Sequence, residues 1–422
     1  MKILVLSNAA WDVRNSAGNT LSNWFDRWAD AEISCIYSRD ALPNCTCCKR
    51  FLSVSPLNIV RNIFRPWTIG RVFDNENTEK CVSSNNMEDN AVKNFKGWKR
   101  KFALLCVDLL YQSNIWFNSK VKRFIADSNP DVVFMFSIPD AFRYNLLKYI
   151  STHTKAKVVQ YIADDVYGAT FIDNNLIDKI HRSRYRNLIQ MADKVYGASE
   201  QMCSFYQDQF GINVSPLYKG CDIERPKAYV NTPIKIVYAG NLLYGRDKSL
   251  LSLAEAIHSV NQGSIRIELY IYSGSSLSEE MDNKIKTLSG TYFCGRISYD
   301  EVKKKLHEAD LVLHVESFEP MQIQLVRYSF STKIIDCLQS GSTLFVIGPK
   351  GIASVEYPRR IPGAIVVDNV DDVPNTLSSL FDKPQILLES AKDMYDFAIE
   401  NHSLLNVRER IQRDFCDLLN RH

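Results

Sequence analysis

Long apolar runs are missing from this chain: no window of its 422 residues supplies the roughly 18 or more consecutive apolar residues of a membrane-spanning helix. The opening Met1-Lys2-Ile3-Leu4-Val5-Leu6-Ser7 is too short in its apolar part for a signal peptide and runs directly into Asn, Trp, Asp and Arg, so it reads as a first strand. An excess of one charge is missing as well. With 51 Lys+Arg against 48 Asp+Glu, a formal net charge of +3 and no long uninterrupted basic run, nucleic acid is not expected as the principal partner. Histidine is sparse at 7 residues, which leaves little imidazole for proton-transfer chemistry. Cysteine is not sparse. The 11 cysteines are odd in number, scattered, and set in hydrophobic stretches such as Cys106-Val107 and Cys337-Leu338, a usage that suits reduced thiols in a cytosol. Cys45, Cys47 and Cys48 stand close together, but no second pair or neighbouring His completes a four-ligand zinc set, so no metal site is expected.

At 45% hydrophobic and 23% charged residues the chain is globular. It is long enough for two cores, since single cores rarely grow past about 250 to 300 residues. The first half alternates strand and helix. Ile3 to Leu6 is a strand, a polar loop runs from Asn8 through Gly18-Asn19-Thr20, and a helix covers Leu21 to Ala29. Further strands are read at Val132 to Phe136, Val158 to Ile162 and Lys194 to Gly197, with helices at Ala141 to Ile150 and Asn175 to Met191 between them. From about 38 to 101 the alternation lapses into a polar segment holding Asn75, Asn77, Asn85 and Asn86, which reads as an insertion. Cations alternate with aromatics around it: Arg61, Phe64, Arg65, Pro66 and Trp67 in 61–67, then Phe95, Lys96, Trp98, Lys99, Arg100, Lys101 and Phe102 in 95–102. Such a mixture lies on an anionic membrane surface or forms a solvated helix with its aromatics inward, and spacing alone does not choose.

Prolines and polar residues from Asp222 to Pro233 mark a linker. The second half restarts the pattern: strand Ile234 to Ala239, helix Ser249 to Val260, strands Ile265 to Tyr272 and Thr291 to Cys294, helix Tyr299 to Ala309, strand Leu311 to Val315 and strand Thr343 to Ile347. Two doubly wound α/β domains follow, with the cleft between them as the default site.

Three stretches carry candidate chemistry. In Tyr328-Ser329-Phe330-Ser331-Thr332-Lys333-Ile334-Ile335-Asp336, Ser331 as a helix cap would leave amides facing outward beside the Lys333 cation, an arrangement suited to phosphate. Asp336, one turn on, is placed to accept hydrogen bonds from sugar hydroxyls. An ordinary amphipathic helix with a polar outer face is the competing reading. In Ala239-Gly240-Asn241-Leu242-Leu243-Tyr244-Gly245-Arg246, Gly240 lets the backbone approach a ligand and Arg246 is suited to a diphosphate. In Tyr161-Ile162-Ala163-Asp164-Asp165, two carboxylates follow a strand, either as ligand contacts or as a turn.

Taken in order, these stretches resemble the GT-B-fold glycosyltransferases, in particular the retaining family 4 group that acts on bacterial surface polysaccharides. The resemblance runs over nearly the whole chain through Ala192-Asp193-Lys194-Val195-Tyr196-Gly197-Ala198-Ser199-Glu200, Tyr218-Lys219-Gly220-Cys221-Asp222, Gly240 to Arg246, Phe293-Cys294-Gly295-Arg296-Ile297, Ala309-Asp310-Leu311-Val312-Leu313 and the Lys333 segment. It implies two facing Rossmann-like domains, an acceptor-side domain over 1–222 and a nucleotide-sugar domain over 234–400, with a terminal helix over about 401–422 crossing back to the first. It also implies that Lys333 and Arg246 neutralise the donor diphosphate and that Asp336 holds the ribose. Gly240, Asn241, Ser331 and Thr332 would line the donor site, and Gly295 and Arg296 would meet the base.

Tyr328 stands where the family places its first glutamate, and Glu316 in the preceding loop is the candidate replacement. On the acceptor side the candidates are Gly18, Asn19 and Thr20 together with Asp164 and Asp165. No Asp-x-Asp motif is present, so transfer without metal or other cofactor is expected. The expected partners are a nucleotide-sugar donor and a lipid-linked or saccharide acceptor, at a cytoplasmic location with peripheral membrane contact. A nucleotide-sugar epimerase of the same fold would need histidine and acid groups at the sugar, and only His314 lies within a motif. A silent sugar-nucleotide-binding protein is the other alternative.

Overall fold

The computed structural model describes residues 1–74, 98–168 and 176–421. Its contacts divide into two compact units, one of Met1–Leu217 with Arg408–His422 and the other of Tyr218–Val407.

In the first unit β1 (Lys2–Ser7), β2 (Glu32–Tyr37), β3 (Arg50–Ser53), β4 (Arg71–Asp74), β5 (Val132–Phe136), β6 (Lys157–Ile162), β7 (Lys194–Gly197) and β8 (Val214–Pro216) form one sheet in the order β4-β3-β2-β1-β5-β6-β7-β8. All pairs are parallel except β3 with β4. Ile3, Leu4, Val5 and Leu6 are all at or below 1% exposure, as a strand covered on both faces requires. The segment expected as an insertion contributes β3 and β4 to this sheet, with Phe51 and Leu52 fully buried. Four-residue strands among polar neighbours leave too little periodicity to be read from sequence. Asn75, Asn77, Asn85, Asn86, Phe95 and Lys96 lie outside the described residues, as do Asn175 and the side chains of Trp98, Arg100 and Lys101.

The loop expected from Asn8 to Thr20 is shorter than the residue types imply. Asn15 caps a helix Ser16–Phe25 by accepting a hydrogen bond from the Gly18 amide at 2.7 Å, so Gly18, Asn19 and Thr20 are helical. The part of the helix Leu404–Asn420 from Arg408 onward belongs to this unit and packs through Phe415, whose ring centroid is 6.2 Å from that of Phe25 and 5.7 Å from that of Trp28. Arg408 Nε donates to the Asn23 carbonyl at 2.8 Å.

The second unit holds β9 (Ile234–Ala239), β10 (Ile267–Tyr272), β11 (Thr291–Gly295), β12 (Leu311–Val315), β13 (Thr343–Ile347) and β14 (Ile365–Val367), all parallel, in the order β11-β10-β9-β12-β13-β14. Strand order reverses between β9 and β12, and the crevice beyond the carboxyl ends at such a point is where open α/β sheets take ligands. Ile234, Ile236 and Tyr238 of β9 pack into one core and Val237 into the other, so helices flank both faces. The stretch expected as a linker is tied to this unit. Lys227 Nζ and the Asn231 side chain both donate to Asp310, and the Glu224 amide donates to the Gln339 carbonyl at 2.9 Å. Asp310 is 4% exposed and collects these donors because a buried carboxylate must be paired.

Candidate functional site

Five of the candidate residues meet at the carboxyl ends of β9 and β12. Gly240 and Asn241 leave β9, and Arg246 opens the helix Arg246–Val260 that follows. Glu316 leaves β12, and Lys333 opens the helix Lys333–Gln339. Arg246 was expected to face a diphosphate with its full charge, but it is 8% exposed and already paired. Its Nη2 donates to both Glu316 oxygens at 3.0 and 3.1 Å and its Nε to Oε2 at 3.2 Å, while Nη1 reaches Asn241 Oδ1 at 3.0 Å. Glu316 is 1% exposed, so it is a buried carboxylate that needs partners. Its Oε1 also meets His314 Nε2 at 3.0 Å, and its own carbonyl accepts from Ser249 Oγ at 2.8 Å. A buried guanidinium and carboxylate must pair because neither could be desolvated alone.

Burial pushes the Glu316 carboxyl up, but the His314 hydrogen bond and charge and the Arg246 guanidinium prevail and hold it below its ordinary value. Burial keeps His314 below the usual imidazole range against the pull of Glu316. His314, at 2% exposure, thus orients Glu316 and is not presented to a sugar.

Lys333 lies against the bare Cα of Gly240, where an added Cβ would collide with its ammonium, and its Nζ is 5.5 Å from the centroid of the Tyr238 ring. Burial first and the Arg246 charge second lower its pKa to about 8. Gly240 is therefore explained by close approach of Lys333. The cap expected at Ser331 is not formed. Thr332 occupies the capping position in a helical backbone conformation without a side-chain hydrogen bond, and the Ser331 amide donates to Ser354 Oγ at 2.8 Å. The Ser354 hydroxyl, 23 residues away in the chain, claims this segment in place of the local cap.

Asp336 sits one turn along the helix in a second group. Tyr299 Oη donates to its Oδ1 at 3.3 Å, burial raises its pKa, and the Lys219 and Lys303 charges act against that rise. Lys219 is in turn lowered by burial, with Asp336 opposing. Gly295 ends β11 with φ 70°, a conformation that favours glycine, and Arg296 beside it is exposed with its side chain near Gly274. Tyr328 is half-buried, with the Arg327 guanidinium 4.9 Å from its ring centroid. Sequence reading missed the roles of Tyr299, Lys219 and Ser354, and the helix Pro320–Val326 just before Tyr328. The alternation His314-Val315-Glu316 was a usable signal, since residues two apart on a strand share a face.

The acceptor-side candidates belong to the first unit. Gly18 is buried and is glycine because a Cβ would strike the Asp12 backbone, so its need is packing rather than ligand contact. Asn19 is half-buried in the same turn, and Thr20 Oγ1 is bonded to the Ser16 carbonyl at 2.9 Å. Asp165 shapes a turn after β6 by accepting from the Gly168 amide at 2.7 Å and from Tyr206 Oη at 3.1 Å. Asp164 is exposed beside it.

No family model matches the sequence, and no curated protein matches it. Solved structures do match the fold. A sucrose-phosphate synthase from Thermosynechococcus elongatus superposes with a TM-score of 0.65 at 10% identity over 99% of both chains. Anabaena HepE in complex with UDP superposes with a TM-score of 0.64 at 13% identity, covering 99% of this chain and 100% of that one. TarM does so with a TM-score of 0.62 at 13% identity, covering 100% of this chain and 99% of that one. Two α/β sheets, parallel throughout except for the β3–β4 pair and matched end to end by such structures, give the chain the GT-B fold.

Proposed function

We propose that this chain is a glycosyltransferase that moves a sugar from a nucleotide-sugar donor to a lipid-linked or polysaccharide acceptor, with retention and without a metal, at the cytoplasmic face of the cell membrane. The observation that carries the donor side is the meeting of Lys333 with Gly240 above the Arg246–Glu316–His314 network, at the switch point of the second sheet. UDP in the HepE complex and UDP-2-fluoroglucose in an Escherichia coli trehalose-6-phosphate structure support a nucleotide-sugar donor in this fold.

Departure of a nucleoside diphosphate builds negative charge on oxygen and positive charge on the anomeric carbon. Arg246 is neutralised by Glu316, so the diphosphate charge falls chiefly to Lys333, whose ammonium is half-buried and hence strongly felt. The Arg246–Glu316–His314 network holds the β9 and β12 ends in register beneath it and is a positioning device. Asp336 with Tyr299 offers an acceptor and a hydroxyl to a ribose diol.

The membrane reading rests on the turn between the helix Pro56–Arg61 and β4. Phe64 is 93% and Trp67 64% exposed there, flanked by Arg61 and Arg65, and Phe102 on the helix Trp98–Gln112 is 60% exposed. No helix among the described residues is long and apolar enough to cross a membrane, and peripheral contact needs none.

Lys333→Ala tests the reading in an assay of nucleoside diphosphate release from a panel of nucleotide sugars, with and without acceptor lipids. Loss of one well-placed charge donor costs roughly 100-fold or more in turnover. Wild-type turnover in the variant removes Lys333 from the mechanism. Donor binding by the native protein without any diphosphate release leaves a sugar-nucleotide-binding protein instead. Arg246→Ala is the poorer probe, because it strands Glu316 as an unpaired buried charge at about 3 to 5 kcal/mol.

A further inference from the structure

A pocket of about 250 Å³ opens in the second unit at the amino ends of its strands, where the chain enters β9 and β10. Gly240 lies at the other end of β9, six residues of strand or roughly 20 Å away, so this pocket is separate from the candidate donor site. One side of it is apolar. Val230 and Phe381 pack against the core that holds Ile234, and Leu388 of the helix Gln385–His402 completes the wall.

The other side carries a cation. Arg266 is fixed at its backbone, its amide donating to Asn261 Oδ1 at 2.9 Å and its carbonyl accepting from the Ile234 amide at 2.9 Å. Its guanidinium carbon lies 5.0 Å from the centroid of the Phe381 ring, and the group makes no hydrogen bond or ion pair with any described residue. Asp310, the buried acid at this end of the sheet, is already taken by Lys227 and Asn231. An anchored guanidinium with five donors and no carboxylate of its own, set beside a fixed aromatic ring, matches a ligand that brings a carboxylate on an apolar body. The volume falls below the roughly 300 to 1,000 Å³ of sites for drug-sized ligands, so that body is small.

We propose that this pocket binds a small organic carboxylate, its apolar body against Phe381, Val230 and Leu388 and its carboxylate on the Arg266 guanidinium, with the Gln385 side-chain amide as a further donor. Held there, the ligand bridges the entries to β9 and β10 and the turn between the helices Val373–Asp382 and Gln385–His402, and it stabilises the second unit by mass action.

Titration calorimetry and hydrogen exchange of the full chain with phenylacetate test this, and neither depends on glycosyl transfer. Phenylacetate is expected to bind saturably with a Kd of about 1 mM or tighter, as a ligand of its size allows. It should slow exchange in peptides covering 230–234 and 381–388. Phenylacetamide, its uncharged isostere, should bind at least about tenfold more weakly, because hydrogen bonds between charged groups are the stronger class. Arg266→Gln should weaken phenylacetate binding by a similar factor with the circular dichroism unchanged. Uridine diphosphate should leave phenylacetate affinity as it is. Absence of saturable binding, equal affinity for phenylacetamide, or wild-type affinity in the variant would each overturn the assignment. Displacement by uridine diphosphate, or protection confined to 240–246 and 333–336, would overturn it as well, by moving the ligand to the donor site. The comparison of the two ligands on the native protein decides the need for charge even where the variant fails to fold.

Discussion

Burial and the Arg246 guanidinium bring Lys333 down to about 8, so this one side chain gives the protein two pH dependences of opposite sign. In the unfolded chain a lysine keeps its proton to about 10.4. Between the two values the unfolded state binds more protons, and the penalty for holding a buried ammonium is relieved as pH rises through that window, so stability rises. On the proposed donor role of Lys333, diphosphate binding should run the other way, because it would need the ammonium that exists below about 8. Titration calorimetry with a nucleoside diphosphate should show affinity weakening by up to about tenfold per pH unit above 8. Lys333→Met should bind weakly and with no such slope. A wild-type affinity that stays flat from about pH 7 to about pH 9.5 would detach Lys333 from the phosphate.

Among elements, the turn between Arg61 and Thr68 is distinguished by what it leaves uncovered. Asn62 and Thr68 close it through a side-chain hydrogen bond at 3.0 Å, and Asn118 Nδ2 anchors it by donating to the Pro66 and Ile69 carbonyls at 2.7 and 2.9 Å. With its backbone held from beneath, Phe64 and Trp67 are presented outward at little further cost in ordering. Burying a large aromatic side chain in a bilayer interface is worth about 1.5 to 3 kcal/mol. Phe64→Ser with Trp67→Ser should therefore lower partitioning onto anionic vesicles by at least about tenfold while the far-ultraviolet circular dichroism stays unchanged. Equal sedimentation of variant and wild type with phosphatidylglycerol vesicles would return these aromatics to ordinary surface residues.

At the scale of the whole molecule, the chain builds its first unit, leaves it after Leu217 and returns to it from Arg408. The return matters to stability because Phe415 is fully buried among Phe25, Trp28 and their neighbours. Phe415→Ala should cost about 3 to 5 kcal/mol in the first unit. Urea unfolding followed by hydrogen exchange of β1 and β5 peptides would register that loss, whereas β9 and β12 peptides should keep their protection. Protection of β1 that does not change would mean that the terminal helix is not part of that core.

Sequence by itself determined the α/β alternation and most of the longer strands, β1, β5, β6, β9 and β12 among them, because a fully buried strand announces itself as a local apolar run. It also placed Gly240, Glu316 and Lys333 near strand ends and helix starts. Only the tertiary structure decided that Arg246 belongs to Glu316, 70 residues away, that Ser354 holds Ser331, and that Tyr299 reaches Asp336. The short strands β3 and β4 likewise exist only through their neighbours in the sheet. The physical reason is common to all of these: periodicity reports which face of an element is buried, whereas strand order brings distant polar groups together, and burial then compels each charge to find a partner.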